Sequence, residues 1–194
     1  MVLPRVFSNE RERIIASFPS TDLRNGTGYE DYFLIESEDS GGKDYHLTPN
    51  RDFSNSTAIT TTAPSTIDLD YDLTPFALPQ TINGMVLISI PAESSSGDPD
   101  FTIELYKVDD AGETQIGSTI TFNPLISTTN KMLYFRMPIV NEHFRKGEIL
   151  RLRVVMVQSG GGSHSYGIDP AGRTDANLPI TTTSKVSIPF KIDL

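Results

Sequence analysis

Apolar and polar residues alternate along several short segments of the chain. In segment 66–73 the odd positions are apolar and three of the even positions are aspartate, and segment 184–194 alternates in the same way from Val186 to Leu194. Successive side chains of a strand point to opposite faces, so each segment has one face for a core and one for solvent. Several such segments, separated by turn-rich loops, predict an all-β sandwich or barrel.

The alternation also defines strand boundaries and register. The clearest hairpin is 101–108 with 113–122, since its loop contains Gly112, which can adopt a positive φ. In the strand at 148–157, the sequence predicts that Leu150, Leu152, Val154 and Met156 are buried and that Arg151 and Arg153 face outward. The predicted strands are 66–73, 82–90, 101–108, 113–122, 131–139, 148–157 and 184–194, with a further short one near 163–168.

The last predicted strand carries an additional constraint. Pro189 removes one backbone donor from it, which places this strand near an edge of the sheet or at a bulge. An apolar strand of this kind needs a partner, either inside the sandwich or on a neighbouring subunit. We therefore expect self-association into a symmetric oligomer.

The first 65 residues carry little alternation. Asn9 and Glu12 have the spacing of a capping box and predict one short helix within residues 1–20. Residues 20–65 are polar and turn-rich, with one strand-like island at 32–35, and are interpreted as an arm that extends across a partner or along the domain's own sheet. A disordered linker is the alternative.

Together these patterns predict two parts. Residues 1–65 form an N-terminal arm with one short helix, and residues 66–194 form a β-sandwich. The expected fold is all-β, a jelly-roll-like antiparallel β-sandwich with an extended N-terminal arm.

Composition narrows the function classes. The chain has 194 residues, a formal net charge of −9 and no cysteine. Nucleic-acid binding is not expected, because it needs a clustered basic face. Disulfides and thiolate metal sites are excluded. The sequence has no apolar run of about 18 residues and no basic-then-apolar start, so we expect no membrane partner and synthesis in a cytoplasm without a signal peptide.

The sequence contains no strong candidate for a metal site. His46, His143 and His164 are not at metal-ligand spacing, and His164 is expected to be an exposed residue of a glycine-rich loop. Acidic residues at 68, 70 and 72, at 98 and 100, and at 109 and 110 offer carboxylates for calcium but lack the EF-hand pattern, so solvated side chains are the simpler interpretation.

No catalytic motif is present either. Gly160–Gly162 lacks the Lys-Ser/Thr tail of a phosphate-binding loop. The sequence therefore predicts no catalytic, cofactor-binding or metal-binding residue, no cofactor and no enzymatic activity. Segment 169–175 reads as a β-turn in which Arg173 pairs with Asp169 or Asp175, or as an inter-subunit contact.

Three segments carry a family resemblance: Phe101–Val108, Phe144–Val154 with its Lys-Gly-Glu start, and Ile188–Ile192 after the Asp169-Pro170 turn. Over residues 75–194 they resemble jelly-roll virion structural proteins of tailed viruses, of the head decoration, collar or tail-surface type. The resemblance implies a non-enzymatic structural protein of the virion whose partners are other virion proteins and copies of itself.

The alternative function is a carbohydrate- or cell-surface-binding β-sandwich module, since the Lys-Gly-Glu strand also occurs in carbohydrate-binding jelly rolls. Such a module needs an exposed aromatic cluster. The chain has no tryptophan but seven tyrosines. The candidates in loop-rich segments are Tyr29, Tyr32, Tyr45 and Tyr166.

Overall fold

The computed structural model describes residues 27–39, 42–51, 54–62, 65–124, 129–158 and 161–191. These residues form strands, turns and irregular segments, and none of them is helical. The strands are β1 (Thr27–Asp39), β2 (Gly42–Thr48), β3 (Ala58–Thr62), β4 (Ser65–Leu73), β5 (Gln80–Ser94), β6 (Asp100–Asp109), β7 (Gly112–Phe122), β8 (Thr129–Phe144), β9 (Ile149–Gln158), β10 (Ser163–Gly167) and β11 (Lys185–Lys191). The all-β prediction is confirmed, whereas the helix predicted within residues 1–20 lies outside the described residues.

The eleven strands are joined in the order β3-β10-β5-β11-β1-β2-β4-β9-β6-β7, and β8 pairs with β5. All of these pairings are antiparallel except the short one between β2 and β4. One edge of the long strand β5 is shared by β11 and β10, and β8 occupies its other edge. Strand β2 therefore links two halves, one built around β5 and the other around β9.

One core lies between the two halves. The buried cluster takes side chains from β5 and β8 on one side and from β4, β6 and β9 on the other. Tyr166 of β10 packs edge-on against Phe101 of β6, and its hydroxyl lies 2.9 Å from that of Tyr71 in β4. Burial of apolar surface from both halves makes the structure a β-sandwich.

The predicted register of β9 is confirmed. Its four predicted core residues are fully buried, while Arg151 and Arg153 on the opposite face are half-buried. The eight predicted strands all correspond to observed ones, β4 to β11, with shifts of a few residues at their ends.

Residues 27–62 contribute β1, β2 and β3 to the same sheet. Of the two courses that the sequence left open for the predicted arm, across a partner or along the domain's own sheet, the described residues take the second. Strand β1 is also an internal strand of this sheet, because it is hydrogen-bonded on one side to β11 and on the other to β2.

Strand β11 is central and does not lie at an edge, since it pairs with both β5 and β1. Its register with β5 shifts between Ser187 and Phe190, so Pro189 sits at a bulge, the other position that the sequence allowed. Val186 and Ile188 are buried as expected, and residues 192–194 lie outside the described part of the chain.

Candidate functional site

The most prominent candidate site is the outer face of strands β8, β5, β11 and β1. Two rows of side chains cross these strands, because directly paired residues of neighbouring strands point to the same side. We call this surface the Tyr134 face. The first row contains Tyr134, Ser89 and Lys185. The second row contains Arg136, Leu87, Ser187 and Asp31.

Tyr134 dominates the face. Its neighbours in the chain, Leu133 and Phe135, are buried in the core, and the alternation of β8 therefore turns Tyr134 outward, where it is 75% exposed. Leu87 on the adjacent strand is 41% exposed. Two large apolar or aromatic side chains thus stand beside each other on a folded sheet with no cover from the described residues.

A shallow groove runs between these side chains. Its volume is about 420 Å³, which is within the range of small-molecule sites. The residues that line the groove are Leu87, Ile88, Ser89, Tyr134, Phe135, Arg136, Lys185 and Ser187. Apolar, hydroxyl and cationic groups therefore meet in one open depression.

Charged groups flank the groove on both sides. Lys185 Nζ lies 3.0 Å from a carboxylate oxygen of Asp31, and the Ser187 hydroxyl also donates to that carboxylate. Burial raises the pKa of Asp31, but the hydrogen bonds from Ser187 and Lys185 and the charge of Lys185 outweigh it, so the pKa lies below its ordinary value. Asp31 is therefore a carboxylate at neutral pH that neutralises Lys185.

The face continues past Asp31 with a second tyrosine. Tyr29 is 40% exposed, and its hydroxyl donates a hydrogen bond of 3.0 Å to the carbonyl oxygen of Met85. Arg51 extends the face in another direction, with its guanidinium carbon 5.3 Å above the ring of Phe33. The Tyr134 face is therefore bordered by a fixed aromatic ring and by a cation over an aromatic ring.

The outer surface of the other half is an ion-pair ladder. Arg151 forms two parallel hydrogen bonds of 2.6 and 2.7 Å with Asp72 and contacts Asp70 at 3.2 Å, while Arg153 pairs with Asp68. The hydrogen bond from Arg153 lowers the pKa of Asp68, whereas burial raises that of Asp70. The three aspartates weighed as calcium ligands are thus occupied by arginines.

Among the described residues no group of three or more His, Cys, Asp or Glu side chains could hold a metal ion. Asp109 acts within the β6–β7 turn, where its carboxylate accepts the backbone N–H of Ala111 at 2.8 Å. Gly162 lies in a bend before β10, and Gly160 falls outside the described residues.

The expectation that His164 is exposed is wrong. The residue lies in β10 and is fully buried, because it is on the same face of the strand as Tyr166 and points into the core. Neither ring nitrogen has a hydrogen-bond partner among the described residues. The other two histidines do have partners: His46 bonds to the Ser37 hydroxyl at 2.9 Å and His143 to that of Thr81 at 3.2 Å.

The turn at 169–172 forms as predicted. The Arg173 side chain donates to the carboxylate of Asp169 at 2.7 Å, and the Gly172 N–H donates to its carbonyl at 3.0 Å. Asp169 is fully buried and its carbonyl oxygen also accepts the hydroxyls of Thr182 and Thr183. This network ties the segment before β11 to the end of β10, which is a structural role.

The tyrosines singled out from the sequence do not form an exposed cluster. Tyr166 and Tyr32 are buried, and Tyr45 packs edge-on against Tyr71. Tyr29 does lie on an exposed surface. Sequence reasoning missed Tyr134, although its place between Leu133 and Phe135 in an alternating strand is the signal that would have found it.

Comparison with known proteins identifies the fold alone. No protein-family model and no curated protein matches the sequence. The solved structures that match include an aminopeptidase from a marine sediment archaeon, Thaumarchaeota (TM-score 0.62, 10% identity, 86% of this chain and 37% of that chain). They also include an α-amino acid ester hydrolase (TM-score 0.59, 13% identity, 83% of this chain and 36% of that chain). Another match is a CocE/NonD family hydrolase from Staphylococcus aureus (TM-score 0.54, 13% identity, 84% of this chain and 37% of that chain).

The chain thus spans little more than a third of the length of these structures. None of its described residues belongs to a helix of the length and apolarity that membrane crossing requires. At such low identity the likeness concerns the architecture of a β-sandwich module, which unrelated functions share.

Proposed function

We propose that this chain is a non-enzymatic β-sandwich module that binds carbohydrate, on a polymer or at a cell surface, through the Tyr134 face. The observation that carries the proposal is the 75% exposure of Tyr134 on the outer face of the sheet, beside a groove lined by hydroxyl and charged side chains. Large exposed aromatic groups on a folded surface are a mark of interaction sites.

The chemistry of the face suits a sugar. A pyranose ring has an apolar face of C–H groups, which packs on an aromatic ring, and a rim of hydroxyls that need hydrogen-bond partners. Tyr134 supplies the ring, while Ser89 and Lys185 supply donors and acceptors in the same row. An open groove also suits an extended polymer, since both of its ends lead to solvent.

The proposal leaves out catalysis because the Ser187 hydroxyl donates to the carboxylate of Asp31, and this carboxylate is already paired with Lys185, so the hydroxyl has no unpaired base beside it. Asp31 and Lys185 neutralise each other there. The hydrolases among the matching structures are each much longer than this chain, and their activities are not carried over to it.

A structural role in a virus particle, with self-association and virion partners, stays a prediction. The sandwich fold is compatible with it, but a fold alone does not separate a virion protein from a binding module. The two functions make different demands on Tyr134, because lattice contacts between subunits do not require sugar selectivity.

The test is affinity electrophoresis of the purified chain through gels that contain single polysaccharides. We expect retardation by at least one polysaccharide, and we expect Tyr134→Ala to reduce the affinity at least tenfold. The matched control is Tyr106→Ala, since Tyr106 lies on the outer surface of the opposite half, where its hydroxyl bonds to Glu104.

Both variants must retain the native circular dichroism spectrum. This is expected for Tyr134→Ala because exposed substitutions usually change the unfolding free energy by less than about 0.5 kcal/mol, and the half-buried Tyr106 lies outside the core. Equal loss of binding in the two variants would contradict a site at the Tyr134 face. Absence of retardation across a broad panel of neutral and acidic polysaccharides would refute carbohydrate binding itself.

A further inference from the structure

We infer that the Tyr134 face selects carboxylate-bearing sugars, with Arg136 as the residue that recognises the carboxylate. This inference rests on the proposed carbohydrate-binding function and names the class of ligand. It starts from a strand arginine that has no ion-pair partner, whereas the strand arginines Arg151 and Arg153 each have one.

Arg136 makes no ion pair and no side-chain hydrogen bond within the described part of the chain. By contrast, Arg151, Arg153 and Arg173 each contact a carboxylate at 2.7 Å or less. A guanidinium presents five donors in a planar fork that fits a carboxylate with two parallel bonds. Arg136 is therefore available for a carboxylate supplied from outside.

The side chains directly beside Arg136 on β8 and across from it on β5 are uncharged, although Lys185 lines the same groove. Tyr134 and Pro138 flank it on the same face of β8, and Leu87 lies directly across on β5. Arg136 is itself exposed, so its guanidinium can be reached by a ligand from solvent. The nearest acid in its row, Asp31, is three strands away and is already paired with Lys185.

The spacing also fits a single sugar unit. Residues two apart on one face of a strand are separated by about 6–7 Å, which is the distance between the Cα atoms of Tyr134 and Arg136 along β8. A pyranose ring packed on Tyr134 would present its exocyclic carboxylate over the adjacent position, where the guanidinium lies. The aromatic ring and the cation are thus placed for the two parts of one uronic or sialic acid.

The charge of the whole chain makes this preference informative. With a net charge of −9, the protein repels polyanions in general. A preference for an anionic polymer over its neutral counterpart would therefore arise from a local site and not from the overall charge. The local site is cationic because Arg136 is unpaired while Lys185 is neutralised.

The experiment compares each acidic polymer with its own neutral form. Polygalacturonate, alginate and hyaluronan are tested against the same polymers after reduction of their carboxyl groups to alcohols, with binding measured by calorimetry and affinity electrophoresis. We expect the wild-type chain to bind at least one acidic polymer at least tenfold more tightly than its reduced form.

Arg136→Met should abolish this preference by lowering the affinity for the acidic polymer to that for its reduced form, and Arg136→Lys should retain only part of the preference, because an ammonium cannot form the paired bonds. Arg145→Met, in the exposed turn before β9, is the control and should keep the preference. Tyr134→Ala should weaken binding to both forms.

Equal affinity of the wild-type chain for the acidic and reduced forms would overturn this inference and leave the proposed carbohydrate binding in place. Loss of the preference in Arg145→Met to the same extent as in Arg136→Met would also overturn it, since the preference would then follow the overall charge. Absence of binding to all three polymers in either form would overturn this inference, whereas the proposed carbohydrate binding is refuted only by the broad panel of polysaccharides.

Discussion

His164 and Tyr134 illustrate how much depends on the direction of single side chains. Tyr134 lies in β8 between the buried residues Leu133 and Phe135 and points outward, whereas His164 lies in the five-residue strand β10 and points into the core. An imidazole in the core without hydrogen bonds costs free energy, about 1–3 kcal/mol for an unsatisfied polar group. Burial also lowers the pKa of His164 from its ordinary value of 6.5, because the charged form loses hydration.

The stability of the fold should therefore depend on pH through His164. In the unfolded chain this histidine takes up a proton as the pH falls through about 6.5, whereas in the folded chain it stays neutral to a lower pH. Below pH 6.5 the unfolded state then binds more protons than the folded state. The free energy of unfolding is therefore not reduced by His164 above pH 6.5 and falls progressively below it, by about 1.4 kcal/mol for each unit by which the two pKa values differ.

Urea unfolding of the wild-type chain and of His164→Leu at pH 5 and pH 7.5 measures this effect. The wild-type chain should lose more unfolding free energy between the two pH values than the variant does. His143→Gln, which changes an exposed histidine, should behave like the wild type. The same pH dependence in His164→Leu and in the wild type would contradict the assignment.

Strand β10 is short, with five residues, but it is held from several directions. It pairs with β3 on one side and with β5 on the other. At its end, Gly167 passes so close to the segment before β11 that a Cβ atom there would lie 2.4 Å from the carbonyl oxygen of Thr182. The Ser184 hydroxyl donates to the carbonyl of Gly167 and fixes the same contact. Close backbone approach is a recognised reason for glycine in a strand.

Gly167→Ala should consequently destabilise the sandwich by about 1–3 kcal/mol, the usual cost of overpacking, because the obstacle is backbone and cannot rotate away. Gly161→Ala is the matched control, since a Cβ at that position meets no atom within 4 Å and neither glycine has a positive φ. Thermal unfolding monitored by circular dichroism would measure both. Equal midpoints for the two variants would show that the contact is less tight than the structure indicates.

The N-terminal strands determine the integrity of the sandwich as a unit. Strand β1 lies between β11 and β2, and β2 makes the short parallel contact with β4 that joins the two halves. Leu34 of β1 and Leu47 of β2 are both buried in the core. If residues 1–65 were an arm separate from the sandwich, a chain without residues 1–60 would still fold, whereas the observed pairing predicts the opposite.

A chain truncated to residues 61–194 should thus fail to give a soluble, cooperatively unfolding protein, because β11 loses one of its two partners and the core loses the buried side chains of β1 and β2. In the full chain, Leu34→Ala should cost about 2–5 kcal/mol, while Glu38→Ala, at an exposed position of the same strand, should be nearly neutral. Circular dichroism and denaturant unfolding measure these effects. A folded, monomeric truncated chain would show that β1 and β2 are dispensable.

Local alternation was sufficient to predict eight of the eleven strands, the inward residues of β9 and the turn at Asp169. These features depend on a period of two residues and on turn chemistry, both of which are written in consecutive residues. The alternation indicated only the strand-like island at 32–35 within β1 and did not predict β2 or β3. Strand β1 pairs with β11, which follows it by roughly 150 residues along the chain, so its sequence gives little sign of the partner.

The candidate site could be predicted less well than the fold. The alternation in the sequence indicates that Tyr134 and Arg136 share the outward face of a strand, but it does not show that Leu87, Lys185 and Asp31 join this face from three other strands. The sequence around His164 also alternates, but it does not show that His164 is on the side of the strand that faces the core. Strand pairing and the choice of buried face are settled by contacts between distant segments, because the free energy of burying apolar surface depends on what each strand meets in the folded chain.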